Sequence, residues 1–221
     1  MILTQVLRDV FGSKPSPEPP AARPASATPS VLNVGGNSKA IPIPEHYNGW
    51  NHVLLDIDAA GRPDIVCDAR NLPSLGADRF DAVYCSHNLE HYYPHDGVRV
   101  LRGFHVVLKP HGFAEIRVPD LSCVWEHVVA NRMDIEDVLY ESPSGPITVR
   151  DVLYGWGKQI ETSGVDFFAH KTGFTPKSLA AALAATGFET VLLDERKHAF
   201  EVSALAFKTV PTAEQTRVFG L

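Results

Sequence analysis

Four short groups of residues carry types and spacings that could do chemistry: Gly35-Gly36-Asn37, Asp56, Asp68-Ala69, and the run Ser86-His87-Asn88-Leu89-Glu90-His91. A glycine pair lets backbone approach a ligand where a Cβ would collide. An acid 21 residues beyond Gly35 can accept hydrogen bonds from both hydroxyls of a ribose. Asp68 and Ala69 are spaced to meet the edge of a base. His87 and His91 are proton carriers whose ordinary pKa suits neutral pH, and either could serve as a general base toward a hydroxyl. Together the groups describe a pocket for a nucleoside-bearing cofactor.

The run His87-Asn88-Leu89-Glu90-His91 also reads H-x-x-E-H, a zinc signature when a helix puts both histidines on one face and a third ligand joins them. Here it follows an apolar run directly and precedes Tyr92-Tyr93-Pro94. That context does not favour such a helix, so no metal ligand set is assigned.

These residues need a scaffold that brings them to one edge. Val31 to Val34, His52 to Asp58, Asp64 to Asp68, Phe80 to Ser86 and Phe113 to Val118 read as five strands. Several are continuous runs of Val, Ile and Leu, as expected of strands covered on both faces. A helix over about 96–108 ends at Lys109-Pro110. A second helix opens with Thr175 as N-cap and Pro176 in its first turn, and Gly187 stops it. Thr190 to Glu195 and Phe200 to Lys208 make a closing hairpin, joined around Arg196 to Ala199. Strands separated by crossovers imply a parallel sheet, and ligands bind such a sheet beyond the C-terminal strand ends, where the first four groups fall.

The stretches VLNVGGN, LLDID, DIVCDARNLP, FDAVYCSHNLEHYY, VLRGFHVVLKPHGFAEIRVPDL and HKTGFTPKSLAAALAATGF resemble the class I methyltransferases of the type 11 group. The resemblance runs from residue 31 to about 209. It implies an α/β Rossmann-like fold with a seven-stranded, mostly parallel sheet of order 3-2-1-4-5-7-6, strand seven antiparallel. It also implies S-adenosylmethionine as cofactor. By position, Gly35, Gly36 and Asn37 match the loop near the methionine part, Asp56 the ribose acid, and Asp68 and Ala69 the adenine side. His87 and Asn88 match the segment beside the methyl donor. Two departures stand out: the family's first loop usually reads G-x-G-x-G, and Pro42 and Pro44 interrupt the helix that normally follows it. The alternative they leave open is a degenerate, non-catalytic copy with a binding or scaffold role.

Residues 121–171 are expected to form a helical lid over the acceptor site, with Asp120, Tyr154 and His170 as acceptor-binding candidates. The acceptor class implied is a small molecule or saccharide.

The formal charge of −6 and the lack of a Lys/Arg run argue against nucleic acid as partner. A nicotinamide dehydrogenase would need G-x-G-x-x-G, which is absent. Cys67, Cys85 and Cys123 form no C-x-x-C pair and read as reduced thiols, pointing to a cytoplasmic setting. No stretch is long and apolar enough to span a membrane. Residues 1–14 read as a short helix, 15–30 as a Pro/Ala/Ser-rich linker, 31–209 as the methyltransferase domain and 210–221 as a tail.

Overall fold

A computed structural model describes residues 28–194 and 200–219. The expected N-terminal helix, most of the linker and the 196–199 connection lie outside the described residues.

The elements relevant to the site follow in chain order. They are β1 (Ser30–Val34), β2 (Asn51–Asp56), β3 (Ile65–Val66), β4 (Phe80–Ser86), α1 (Pro94–Val107), β5 (Leu108–Pro119) and α2 (Leu121–Asn131). After them come β6 (Val138–Ser142), β7 (Gly145–Thr148), α3 (Val149–Tyr154), α4 (Gly157–Ser163), α5 (Pro176–Ala185), β8 (Thr190–Leu193), β9 (Glu201–Phe207) and α6 (Ala213–Val218).

The main sheet has the order β3-β2-β1-β4-β5-β9-β8. The first five strands run parallel, and β9 is antiparallel to both β5 and β8. With the small β6–β7 hairpin set aside, this is the expected 3-2-1-4-5-7-6. The topology reverses between β1 and β4, so their C-terminal ends open a crevice there.

One sheet face packs on α1 and α5. Leu101, Phe104, Leu179 and Leu183 are fully buried against β1, β4 and β5, and each such side chain contributes about 1.5–3 kcal/mol by leaving water. Gly103 lets α1 close on the turn before it, since a Cβ there would lie 2.9 Å from Leu72 Cβ. The other face lacks an α-helix between β1 and β2. Pro42 and Pro44 leave only a 3₁₀ turn, Glu45–Tyr47. An aromatic cluster covers that face instead: Tyr47 stacks on Phe113 at 6.4 Å, with Trp50 and Phe219 against the same ring. Buried Glu115 pins it, accepting hydrogen bonds from Tyr47 Oη at 3.0 Å and from Arg117 at 2.8 Å.

Residues 121–171 are not purely helical, contrary to expectation. Between α2 and α3 stands the β6–β7 hairpin, turned by Ser142-Pro143-Ser144-Gly145. Val124, Leu139, Val149 and Val152 give this insertion a small core of its own. α5 begins as expected, with Thr175 Oγ1 accepting from Ser178 N–H at 3.2 Å and Ser178 Oγ accepting from Thr175 N–H at 2.8 Å. Among the described residues, no helix is long and apolar enough to cross a membrane.

Candidate active site

A cleft of about 290 Å³ opens at the C-terminal ends of β1, β2 and β4, roofed by the segment around Phe167 and Phe168. Its floor depends on glycine. Gly35 has φ +73°, and a Cβ on it would sit 2.1 Å from Asn88 Nδ2. No other residue type lets the first loop and the loop after β4 lie this close. Gly35 N–H donates to Leu55 O at 2.8 Å, tying the loop to β2.

Asp56 shapes that loop. Its Oδ2 accepts from Asn37 N–H and its Oδ1 from Asp58 N–H, both at 2.9 Å. Each carboxylate oxygen keeps a further lone pair, and the group lines the cleft. Asp58 caps the next turn through Ala60 N–H at 2.8 Å. Beyond Asp56, Ile57 is 42% exposed and offers the cleft an apolar surface. Gly36 does not line the cleft: it packs against Asn33, where a Cβ would lie 2.3 Å from Nδ2.

The expected base-edge pair changes character. Ala69 is 2% exposed and lies beneath the surface. Asp68 lines the cleft, but Arg70 Nε sits 3.0 Å from both its oxygens. Those bonds hold the Asp68 carboxyl below the usual range. Arg70 also reaches Asp96 at 3.3 Å. Sequence reading missed Arg70 because its second partner lies on α1, 26 residues away.

His87 is built as a cation. It adopts φ +49° just past β4. Its Nε2 lies 2.9 Å from Glu201 on β9, and its Nδ1 is 3.5 Å from Glu90. Burial alone would lower its pKa, yet the hydrogen bond to Glu201 and the negative charge of Glu90 outweigh burial and raise it to about 10. Held between these two carboxylates, His87 favours the protonated form, which cannot accept a proton.

His91 and His170 differ from it. His91 Nδ1 lies 3.1 Å from Ala169 O, and His170 Nδ1 lies 2.8 Å from Val152 O. A carbonyl only accepts, so each Nδ1 carries a hydrogen and donates it. Burial lowers the His170 pKa below its ordinary value, so the ring is neutral near pH 7. The two rings meet edge to face at 5.0 Å. His91 lines the cleft, whereas His170 sits behind it. Glu90 lies beside both, 1% exposed, and neither carboxylate oxygen has a hydrogen-bond partner. Glu90, His91 and His170 each offer a donor atom within 4.8 Å of the others. The context of H-x-x-E-H did not favour a helix, so the sequence assigned no metal ligand set; the structure brings distant His170 beside Glu90 and His91.

Neither Asp120 nor Tyr154 lines the cleft. Asp120 is the N-cap of α2, its Oδ1 accepting from Ser122 and Cys123 N–H. Tyr154 is 60% exposed and does not line the cleft. The lid contributes Asp166, Phe167, Phe168 and Lys171 instead, facing Tyr92 and Tyr93.

Residues 6–193 match the model of a family described as a methyltransferase domain. Among solved structures, the chain is similar to a SAM-dependent methyltransferase from Archaeoglobus fulgidus, at 17% identity and a TM-score of 0.50, covering 82% of this chain and 86% of that one. It is also similar to a SAM-dependent methyltransferase from Methanosarcina mazei, at 17% identity and a TM-score of 0.52, covering 83% and 94%. A third likeness is to the PH0226 protein from Pyrococcus horikoshii OT3, at 16% identity and a TM-score of 0.53, covering 83% of each chain. At these identities the likeness establishes the fold. A search of curated proteins finds no match.

Proposed function

The chain belongs to the methyltransferase-domain family, and from that premise we propose that it transfers a methyl group from S-adenosylmethionine to a small-molecule or saccharide acceptor. The observation that carries the cofactor reading is the cleft at the β1/β4 switch point, where Gly35 lets the first loop close on Asn88 and Asp56 keeps free lone pairs. These residues fit the cofactor. Asp56 receives the ribose hydroxyls. Ile57 lies under the base, and Arg70, already paired to Asp68, borders the same end. Asp56, Asp58, Asp68, Asp96 and Asp166 outnumber Arg70, Lys171 and the His87 cation around the cleft, a balance that suits a sulfonium.

S-adenosylmethionine supplies an activated methyl, so the protein mainly positions the partners and excludes water. Asn88 and the Gly35 loop hold the methionine end. Phe167 and Phe168 cover the cleft. His91, on its wall, meets the acceptor hydroxyl.

Isothermal titration of the purified protein with S-adenosylmethionine and S-adenosylhomocysteine tests this. Micromolar binding of both supports the reading. A folded protein that binds neither refutes it and favours a binding or scaffold role for the fold.

A further inference from the structure

Among the described residues, Glu90 stands out: it is buried, and neither carboxylate oxygen has a hydrogen-bond partner. A carboxylate stripped of water and left without a hydrogen-bond donor is costly, and a fold keeps one only where something else compensates. His87 Nδ1, 3.5 Å away, balances part of that charge while its Nε2 is bonded to Glu201. Against Glu90 also stand the two imidazoles of His91 and His170, with His170 Nε2 4.0 Å from Glu90 Oε1.

The tautomers are informative. A metal-bound histidine typically donates its remote ring N–H to a backbone carbonyl or carboxylate, which fixes the ring and aims the free nitrogen. His91 does this through Ala169 O and His170 through Val152 O. The backbone is braced for the same purpose: Glu90 O accepts from both Lys171 and Thr172 N–H, at 2.9 and 3.2 Å, so the segment carrying His170 is fastened to the turn carrying Glu90 and His91. Ligands on one ion at about 2.0–2.2 Å stand roughly 3–4 Å apart. The present donor spread, within 4.8 Å, needs only small side-chain rotations to reach that.

We propose that Glu90, His91 and His170 form a site for a first-row divalent cation, and that this ion binds a hydroxyl of the acceptor at the wall of the cleft. Two imidazoles and one carboxylate leave coordination positions open and favour manganese, iron, cobalt or zinc over calcium. This deepens the methyltransferase reading and rests on it: the acceptor is a hydroxyl compound and the product a methyl ether. The ion then takes over from His91 the handling of the acceptor proton. The hydroxyl loses its proton to bulk water at the cleft mouth. An oxygen lone pair forms the new O–CH₃ bond while the S–CH₃ bond breaks and its electron pair stays on sulfur. The products are the ether, S-adenosylhomocysteine and one proton.

The test uses the full chain, treated with chelator and then titrated with cobalt(II) and manganese(II) chloride. One equivalent of cobalt should bind with a visible ligand-field spectrum. Glu90→Gln and His170→Ala, checked for folding by circular dichroism, should each weaken metal binding by at least about tenfold. Failure of the wild-type protein to bind either metal stoichiometrically overturns the proposal, as does binding that both substitutions leave unchanged. S-adenosylhomocysteine titrations of the same samples separate the two readings. S-adenosylhomocysteine binding without metal binding removes the site and keeps the methyltransferase; metal binding without S-adenosylhomocysteine binding keeps the metal site and removes its role in methyl transfer.

Discussion

Replacing Asp56 with alanine probes the cofactor reading most directly. In the protein Asp56 receives two backbone N–H groups, from Asn37 and Asp58, each at 2.9 Å. It has lone pairs left for two ribose hydroxyls. Losing two charge-assisted hydrogen bonds to the ligand costs about 2–3 kcal/mol. That is roughly a 30- to 150-fold rise in Kd for S-adenosylhomocysteine. The same change frees two N–H donors of the loop. They can turn to water, so the fold should lose only about 1–2 kcal/mol. Calorimetric titration gives the first number and thermal melting the second, and the two must be measured together. Asp56→Asn adds a control: it keeps an oxygen acceptor, loses the charge, and should fall between wild type and alanine. A folded Asp56→Ala protein that binds S-adenosylhomocysteine within threefold of wild type refutes the ribose assignment.

Gly35→Ala forces a Cβ against Asn88 at 2.1 Å and strains a backbone at φ +73°; S-adenosylhomocysteine affinity should fall by about tenfold or more in titration. Gly155→Ala, at φ +94° with a Cβ 2.0 Å from Phe168 O, should lower the Tm by about 2–10 °C and raise hydrogen exchange across α3 and the Phe167 segment. Glu115 sets an acid limit on stability. Burial raises its pKa, but hydrogen bonds from His46 and Arg117 prevail and hold it below the ordinary value. Its folded pKa is therefore lower than its unfolded one. The stability it contributes is complete above the unfolded value, near 4–5, and is lost as pH falls through the folded one. Urea midpoints from pH 7 to pH 3 should drop more steeply for wild type than for Glu115→Gln. The variant should itself lose about 1–3 kcal/mol at pH 7; parallel slopes would contradict the assignment.

What the chain reveals before folding follows from how far each signal reaches. Strands buried on both faces must be runs of Val, Ile and Leu, so β1, β2 and β4 are legible, and with them the edge where Gly35, Asp56 and His87 gather. Thr175-Pro176 is a local capping signal and reads correctly for the same reason. Asp120 reads in the sequence as an acceptor-binding candidate, and its N-cap role emerges only in the structure, where its carboxylate accepts from Ser122 and Cys123 N–H. The β6–β7 hairpin is short and its Ser-Pro-Ser-Gly turn is a weak local signal, so it passed for loop and helix. Pairings between distant residues gave no such signal. Nothing near Arg70 announces Asp96, and nothing near His87 announces Glu201. Without Glu201, His87 and His91 look alike as bases; with it, His87 is held between two carboxylates, whereas His91 hydrogen-bonds a backbone carbonyl.

The reduced crossover after β1 bears on how such a fold keeps a site. Pro42 and Pro44 remove the helix that would have aimed its N-terminus at the cofactor's carboxylate. Asp56 compensates in part, because one of its carboxylate oxygens holds Asn37 N–H of the Gly35-Gly36-Asn37 loop that a helix would otherwise anchor, while the other holds Asp58 N–H in the turn after β2. Gly61 completes the support: a Cβ there would lie 1.9 Å from Asn37 O. The loop's shape is thus set from β2 and the turn after it, and no longer from its own downstream helix. Asp56 therefore does double duty, ordering the loop and presenting lone pairs to the ligand. Loop order and cofactor affinity should fall together when it is replaced, whereas Gly61→Ala, which leaves the Asp56 carboxylate intact, should disturb the loop first and the affinity only through it.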